Sequence, residues 1–257
     1  LNPDYPIIVG FGGKAGVGKT MTAEGLVPQK SMRIDEKNMV VWDHLFFALP
    51  LYELITIKRD VQGDNEIQRQ LYLTMEKYLD IFGSPIYGAP DLAEVVELVY
   101  ETVEFALPED PSIKPREFMQ VFGTDKCRAL NPDVWVEWMK RTVNRRFAPY
   151  KDSHTYVVLL SDVRFPNEAQ MIMDHPNGLM IKLDASESVR QERLARRDAN
   201  HTSMTKEQAG HKSETLVDVM PFDVKLDTNN WSLEDQIIEV HNLIRDTFRI
   251  GSLVDAN

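Results

Sequence analysis

The run Gly13-Lys14-Ala15-Gly16-Val17-Gly18-Lys19-Thr20 carries the residues of one specific chemistry. A glycine, four residues and then Gly-Lys-Thr is a full match to the phosphate-loop pattern. Glycines let the backbone curl so that consecutive N–H groups face one anion, and a helix starting at Gly18 to Thr20 adds its positive dipole end. Lys19 would reach the β- and γ-phosphates of ATP, and the Thr20 hydroxyl would ligate Mg²⁺. Gly13, Lys14, Ala15, Gly16, Gly18, Lys19, Thr20 and Met21 are therefore the expected ATP-binding residues. The alternative is a Gly-rich turn that fits the pattern by chance. The flanks argue against it, with an apolar run before the loop and a helix-like run after it.

Those flanks belong to a longer alternation. Ile7 to Phe11, Met39 to Trp42, Thr155 to Leu160, Leu179 to Leu183 and Asp223 to Leu226 read as strands. Helix patterns begin at Met21, at Asp43-His44 and at Leu233, the last running to Ile250. Others cover Leu92 to Phe105, Arg116 to Leu130, Pro132 to Phe147, Asn167 to Met173 and Ser186 to Arg197. Strands alternating with helices imply an α/β fold with a parallel sheet of about five strands covered on both faces. Asp162 would then leave the strongest strand at the carboxyl edge of the sheet, where ligands of such sheets bind. There it could hold Mg²⁺, directly or through water, or contact an acceptor; a helix-capping Asp before Pro166-Asn167 is the plainer role.

The bulk numbers narrow the partners. The chain has 257 residues, 43% apolar and 27% charged, the make-up of a globular protein rather than a disordered one. Its net charge of -11, from 29 basic and 40 acidic residues, disfavours tracking along a nucleic-acid polymer. A small phosphorylated substrate needs only a few basic side chains at one spot. Cys127 is the single cysteine, so no intrachain disulfide can form and a reducing, cytoplasmic setting is expected. No apolar run approaches the roughly 20 residues that span a bilayer, and no membrane partner is expected. The oligomeric state is open, a homodimer being compatible with the sequence.

Beyond the phosphate loop, several ordered segments resemble the deoxynucleoside monophosphate kinases of tailed bacteriophages, within the P-loop nucleoside monophosphate kinase group. They are Phe47 to Leu51, Arg116 to Asp125, Pro132 to Trp135, Asp162 to Ala169, His211 to Glu214 and Asp227 to Glu234. Their order along the chain carries the likeness. The resemblance implies one P-loop kinase-like domain, with a helical acceptor-binding insertion near 44–150 and a lid near 186–214. In it Arg116, Gln120, Gly123 and Thr124 line the acceptor nucleotide pocket, and Trp135 offers a flat surface to base or sugar, though a helical Trp is as readily core.

Asp162, Arg164 and Glu168 match an acidic-basic cluster around the reacting phosphates and the acceptor's sugar or base; an Arg164–Glu168 surface ion pair is the alternative. Arg190, Arg193, Arg196 and Arg197 look like the start of the lid, with Arg193 and Arg197 as its catalytic cations beside Lys19 and Arg164. Asn229 lies in the Asp227-Thr228-Asn229 turn, where related kinases hold adenine through backbone contacts. Many members carry a basic residue where this chain has Tyr52; Lys58, Arg59 or Arg69 could replace it. The implied reaction is transfer from ATP–Mg²⁺ to a deoxynucleoside monophosphate. Dephospho-coenzyme A or a modified base as acceptor, and a regulatory ATP-binding module, are the competing readings.

Overall fold

All five apolar runs become strands, and they lie parallel. The computed structural model describes residues 1–27, 32–35, 39–60, 65–67, 69–70, 73, 97, 101–102, 105–109, 115–197 and 210–250. Most of the helix face expected over Leu92 to Phe105, and residues 198–209 of the expected lid, lie outside the described residues. The strands are β1 (Ile7–Gly12), β2 (Met32–Asp35), β3 (Val40–Leu45), β4 (Thr155–Leu160), β5 (Gly178–Asp184) and β6 (Val224–Asp227). Their order in the sheet is β2-β3-β4-β1-β5-β6. All neighbours are parallel except β2, which pairs antiparallel with β3 at the edge.

The five parallel strands are those expected, and the short β2 joins them at the edge as a sixth among the described residues. One expectation is corrected. The chain does not turn into a helix at Asp43-His44. Residues His44 and Leu45 remain in register with Leu159 and Leu160, and the next helix, α1 being Lys19–Leu26, is α2 at Leu49–Asp60. Further along come α3 (Cys127–Leu130), α4 (Val134–Phe147), α5 (Pro166–Met173), α6 (Glu187–Arg197), α7 (Lys212–Thr215) and α8 (Leu233–Phe248).

The sheet is apolar on both faces, as parallel sheets are. Val9, Phe11, Val157, Leu159, Leu179 and Ile181 form a buried core with Ala23 and Leu26 of α1 and Val240, Ile244 and Phe248 of α8. On the other face α5 packs so closely that Ile172 fills the space a side chain at Gly10 would need. Burial of these aliphatic and aromatic side chains is worth about 1.5–3 kcal/mol each, which fixes the strand ends that carry the loops.

The chain divides into two compact units. The first takes the sheet, from residues 1–46, 140–203 and 212–257; the second takes 47–139 and 204–211. The second unit is thus narrower than the insertion expected at 44–150. Its described part is built on Arg116–Leu130, which is helical as expected but widened into π-helical turns over Phe118–Lys126. Phe118 and Phe122 stack at 5.0 Å between ring centres, and Phe105 meets Phe118 edge-on at 5.6 Å.

Candidate functional site

The loop between β1 and α1 has the curl that anion binding requires. Gly13, Gly16 and Gly18 have φ of 131°, 89° and 96°, in the region that L side chains rarely adopt. At Gly13 space forbids a side chain as well, because a Cβ there would lie 2.2 Å from the carbonyl oxygen of Leu183. Gly18 is the left-handed N-cap of α1, so the first helical N–H groups open onto the loop. The Lys19 ammonium lies 2.5 Å from the carbonyl oxygen of Gly13 and 3.1 Å from that of Lys14, folded over the loop it would serve. Thr20 and Met21 are exposed on the first turn of the helix.

Neighbouring elements brace the loop. Arg190 of α6 donates from Nη1 to the Ala15 carbonyl oxygen at 3.3 Å. Lys14 pairs with Asp218 at 2.9 Å, both side chains about half exposed. From α8 the Gln236 amide nitrogen reaches the Val17 carbonyl oxygen at 3.2 Å and the Thr22 hydroxyl at 2.5 Å. Sequence reasoning missed Gln236. The signal was a polar residue in the stripe Gln236, Val240, Ile244 and Phe248 that α8 turns to the core.

Asp162 leaves the sheet beside this loop. Gly10 of β1 is in register with Leu160 of β4, so Gly12 and Asp162 each follow by two residues at the same carboxyl edge. On the neighbouring strand the buried His44 ring nitrogen is 2.8 Å from the Ser161 hydroxyl, and burial pushes the imidazole pKa down to about 4. The pair holds the strand end from which Asp162 emerges. Deeper in the unit, fully buried Asp43 accepts hydrogen bonds from Tyr156 at 2.6 Å and from Arg146 at 3.0 and 3.2 Å. Burial and the adjacent Asp43 carboxylate push the Tyr156 hydroxyl pKa up. Nothing in the local sequence signals that triad.

Several expected ligand residues turn out to be working on the chain itself. Glu168 is 2% exposed, and its Oε2 accepts the backbone N–H groups of Arg164 at 2.7 Å and Phe165 at 3.1 Å. It caps α5 and so orients the Arg164 backbone, rather than reaching for a sugar or base. Trp135 is 5% exposed, with its indole N–H donated to the Gly123 carbonyl oxygen at 2.8 Å, which is the core placement that the sequence held open beside a binding surface. Arg193 donates to the Thr228 carbonyl oxygen at 2.6 Å and to that of Trp231 at 3.3 Å. Asn229 uses its side-chain oxygen to accept the Ser186 N–H at 2.7 Å, just before α6. Arg197 is the last residue of α6.

The remaining acceptor candidates share the second unit. Half-buried Arg116 begins the widened helical segment, which then presents Gln120 and buries Gly123 and Thr124. A Cβ on Gly123 would sit 2.3 Å from the Leu51 side chain, so this glycine serves close packing. Of the proposed replacements at Tyr52, Lys58 donates to the Thr102 carbonyl oxygen at 2.9 Å and to that of Phe105, and burial lowers its pKa. Arg69 pairs with Glu66 at 3.2 Å. Lys58 is thereby committed to the second unit's own structure, whereas the Arg69 pair is exposed on the surface.

Among the described residues no group of three or more His, Cys, Asp or Glu side chains is placed to hold an ion. Mg²⁺ on a nucleotide needs none, since it keeps waters and takes most of its oxygens from phosphate. Thr20 at the helix start and Asp162 beside the loop are oxygen donors of the kind it does use. Among the described residues, no helix is long and apolar enough to cross a membrane.

No protein-family model matches the chain, and neither does any curated protein. Similar solved structures include TT1252 from Thermus thermophilus, at 17% identity over 94% of this chain and 98% of that one, with a TM-score of 0.41. Another is an uncharacterized protein from Eubacterium ventriosum, at 9% identity over 93% of this chain and 98% of that one, with a TM-score of 0.38.

Proposed function

We propose that this chain is a P-loop phosphotransferase that moves the γ-phosphoryl group of ATP onto a deoxynucleoside 5′-monophosphate, giving ADP and a deoxynucleoside diphosphate. The observation that carries the reading is the loop from Gly13 to Thr20, with left-handed glycines at 13, 16 and 18 and Lys19 folded over it at the start of a helix. That geometry suits a polyphosphate: backbone N–H groups, a helix N-terminus and one ammonium converge on a small volume. The choice of acceptor is supported by the ordered segments that resemble phage kinases.

Phosphoryl transfer asks for positioning and charge neutralisation rather than a covalent enzyme group. In this reading Lys19 and the loop N–H groups hold the β- and γ-phosphates, while Thr20 and Asp162 would hold Mg²⁺. The bound ion would supply positive charge against the phosphate oxygens. Arg164, its backbone fixed by Glu168, and Arg197 are the cations for the transferring group and the acceptor phosphate. Arg193 orders the turn at Thr228. Arg116 and Gln120 of the second unit are the acceptor-selecting side chains that the resemblance assigns.

The test is ADP production from Mg²⁺–ATP with each common ribo- and deoxyribonucleoside monophosphate offered singly, with Lys19→Ala as control. Turnover that needs a deoxynucleoside monophosphate and vanishes in Lys19→Ala establishes the reaction and names the base. ATP binding that no monophosphate stimulates into turnover would sink the acceptor assignment and favour a regulatory module.

A further inference from the structure

The amides that a phosphate would meet are oriented from the far end of the chain. Gln236 is 2% exposed on α8, and its Nε2 donates to the Val17 carbonyl oxygen and to the Thr22 hydroxyl. The Thr22 hydroxyl in turn donates to the Gly18 carbonyl oxygen at 3.0 Å. Of two successive carbonyls, that of Val17 is held directly by the buried amide, and that of Gly18 accepts both the Thr22 backbone N–H, at 2.9 Å, and the Thr22 hydroxyl that the amide engages. No peptide bond among the described residues is cis, so in each of these units the N–H points opposite to the C=O. The N–H groups in question are those of Gly18 and Lys19. Anchoring the carbonyls toward α8 and the body of α1 therefore turns these two donors toward the open side of the loop. Gly18 fits the same arrangement, since a Cβ there would lie 2.8 Å from the Gln236 amide nitrogen.

We propose that Gln236 is the positioning residue that aims the Gly18 amide at a nucleotide phosphate and, with Thr22, steadies the Lys19 amide beside it. This rests on the phosphate-loop reading and adds the group that preorganises it. An oriented donor costs nothing to reorganise when the anion arrives, whereas a loop free to rotate its peptide units loses that advantage.

The experiment measures Mg²⁺–ATP affinity by calorimetry on the full chain for wild type, Gln236→Leu, Thr22→Val, the double variant and Val240→Ala. The last is a stability control on the same helix, an apolar side chain buried in the core one turn after Gln236. Thermal melts set a temperature at which all are folded. Gln236→Leu and Thr22→Val should each weaken binding about ten-fold, and the double variant should be little worse than either, as members of one relay are non-additive. Val240→Ala should lower the melting temperature at least as much and leave the affinity within about two-fold. Equal affinity in wild type and Gln236→Leu, or equal weakening in Val240→Ala, overturns the proposal while leaving the loop's function intact. A wild type that binds Mg²⁺–ATP no better than Lys19→Ala overturns the phosphate-loop reading and this inference together.

Discussion

The guanidinium of Arg193 is laid across Thr228, its Nη2 donating to the carbonyl oxygen at 2.6 Å and its Nη1 to the hydroxyl at 3.1 Å. Thr228 passes the restraint on, since its own N–H and hydroxyl both donate to the Asp184 carbonyl oxygen, at 2.8 and 3.0 Å. Helix α6, the turn after β6 and the end of β5 are therefore tied at one point. Hydrogen bonds from a charged donor are worth about 1.5–3 kcal/mol each, more than neutral ones.

Replacing Arg193 with Ala should accordingly lower the unfolding free energy by about 2 kcal/mol in urea titrations, and Arg193→Lys by less. An Arg193→Ala protein of unchanged stability but depressed turnover would instead assign this arginine to the phosphoryl group.

Asp43 makes a sharper energetic prediction. It is fully buried, and among the described residues its charge is met by the cation of Arg146 and the hydroxyl of Tyr156. Removing the cation leaves a buried carboxylate without its compensating charge, which typically costs about 3–5 kcal/mol. Arg146→Leu should show that loss in urea unfolding, and Asp43→Asn in the same chain should recover part of it. A double variant as unstable as the sum of the single ones would refute the coupling.

The curl of the loop from Gly13 to Thr20 was legible because it is local: the glycines at 13, 16 and 18, all at positive φ, set it within eight neighbouring residues. The strands of the parallel sheet were legible for a similar reason, as fully buried strands are continuous apolar runs. Strand β2, Met-Arg-Ile-Asp, has no such run and owes its existence to pairing with β3. The hydrogen bond from Gln236 to Val17 spans 219 positions, and no local pattern announces its partner. Glu168 and Trp135 show a different limit. A carboxylate that can meet a sugar can equally cap a helix, and an indole that can stack on a base can equally fill a core, so residue type alone could not decide.

Trp135 offers a direct check on that second role. Its N–H holds the carbonyl oxygen of Gly123 inside the widened helical segment of the second unit. Trp135→Phe keeps a ring but leaves that buried carbonyl without this donor, which should cost about 1–3 kcal/mol. The measurement is the urea midpoint together with the apparent KM for the acceptor. A large rise in KM at unchanged stability would restore Trp135 as a binding platform.

The last prediction concerns pH. His44 is 4% exposed, hydrogen-bonded to Ser161 and packed on Phe46 at 4.4 Å between ring centres. Burial lowers its pKa from 6.5 to about 4, so the folded protein keeps the ring neutral where the unfolded chain takes up a proton. Between those two values the unfolded state binds more protons, and stability rises with pH. His44 therefore contributes no penalty above about pH 6.5, and stability is lost as pH falls from there toward about 4. The full shift corresponds to about 3 kcal/mol. His175, also lowered by burial, acts in the same direction, so the wild-type curve alone does not isolate His44. Subtracting the curve of His44→Gln, which retains a hydrogen-bonding group for Ser161, removes the His175 contribution. Urea titrations between pH 7.5 and 4.5 should show the wild type losing stability faster than the variant. Parallel curves would mean that His44 is protonated without cost, and that the His44–Ser161 pair does not brace the strand end at Asp162.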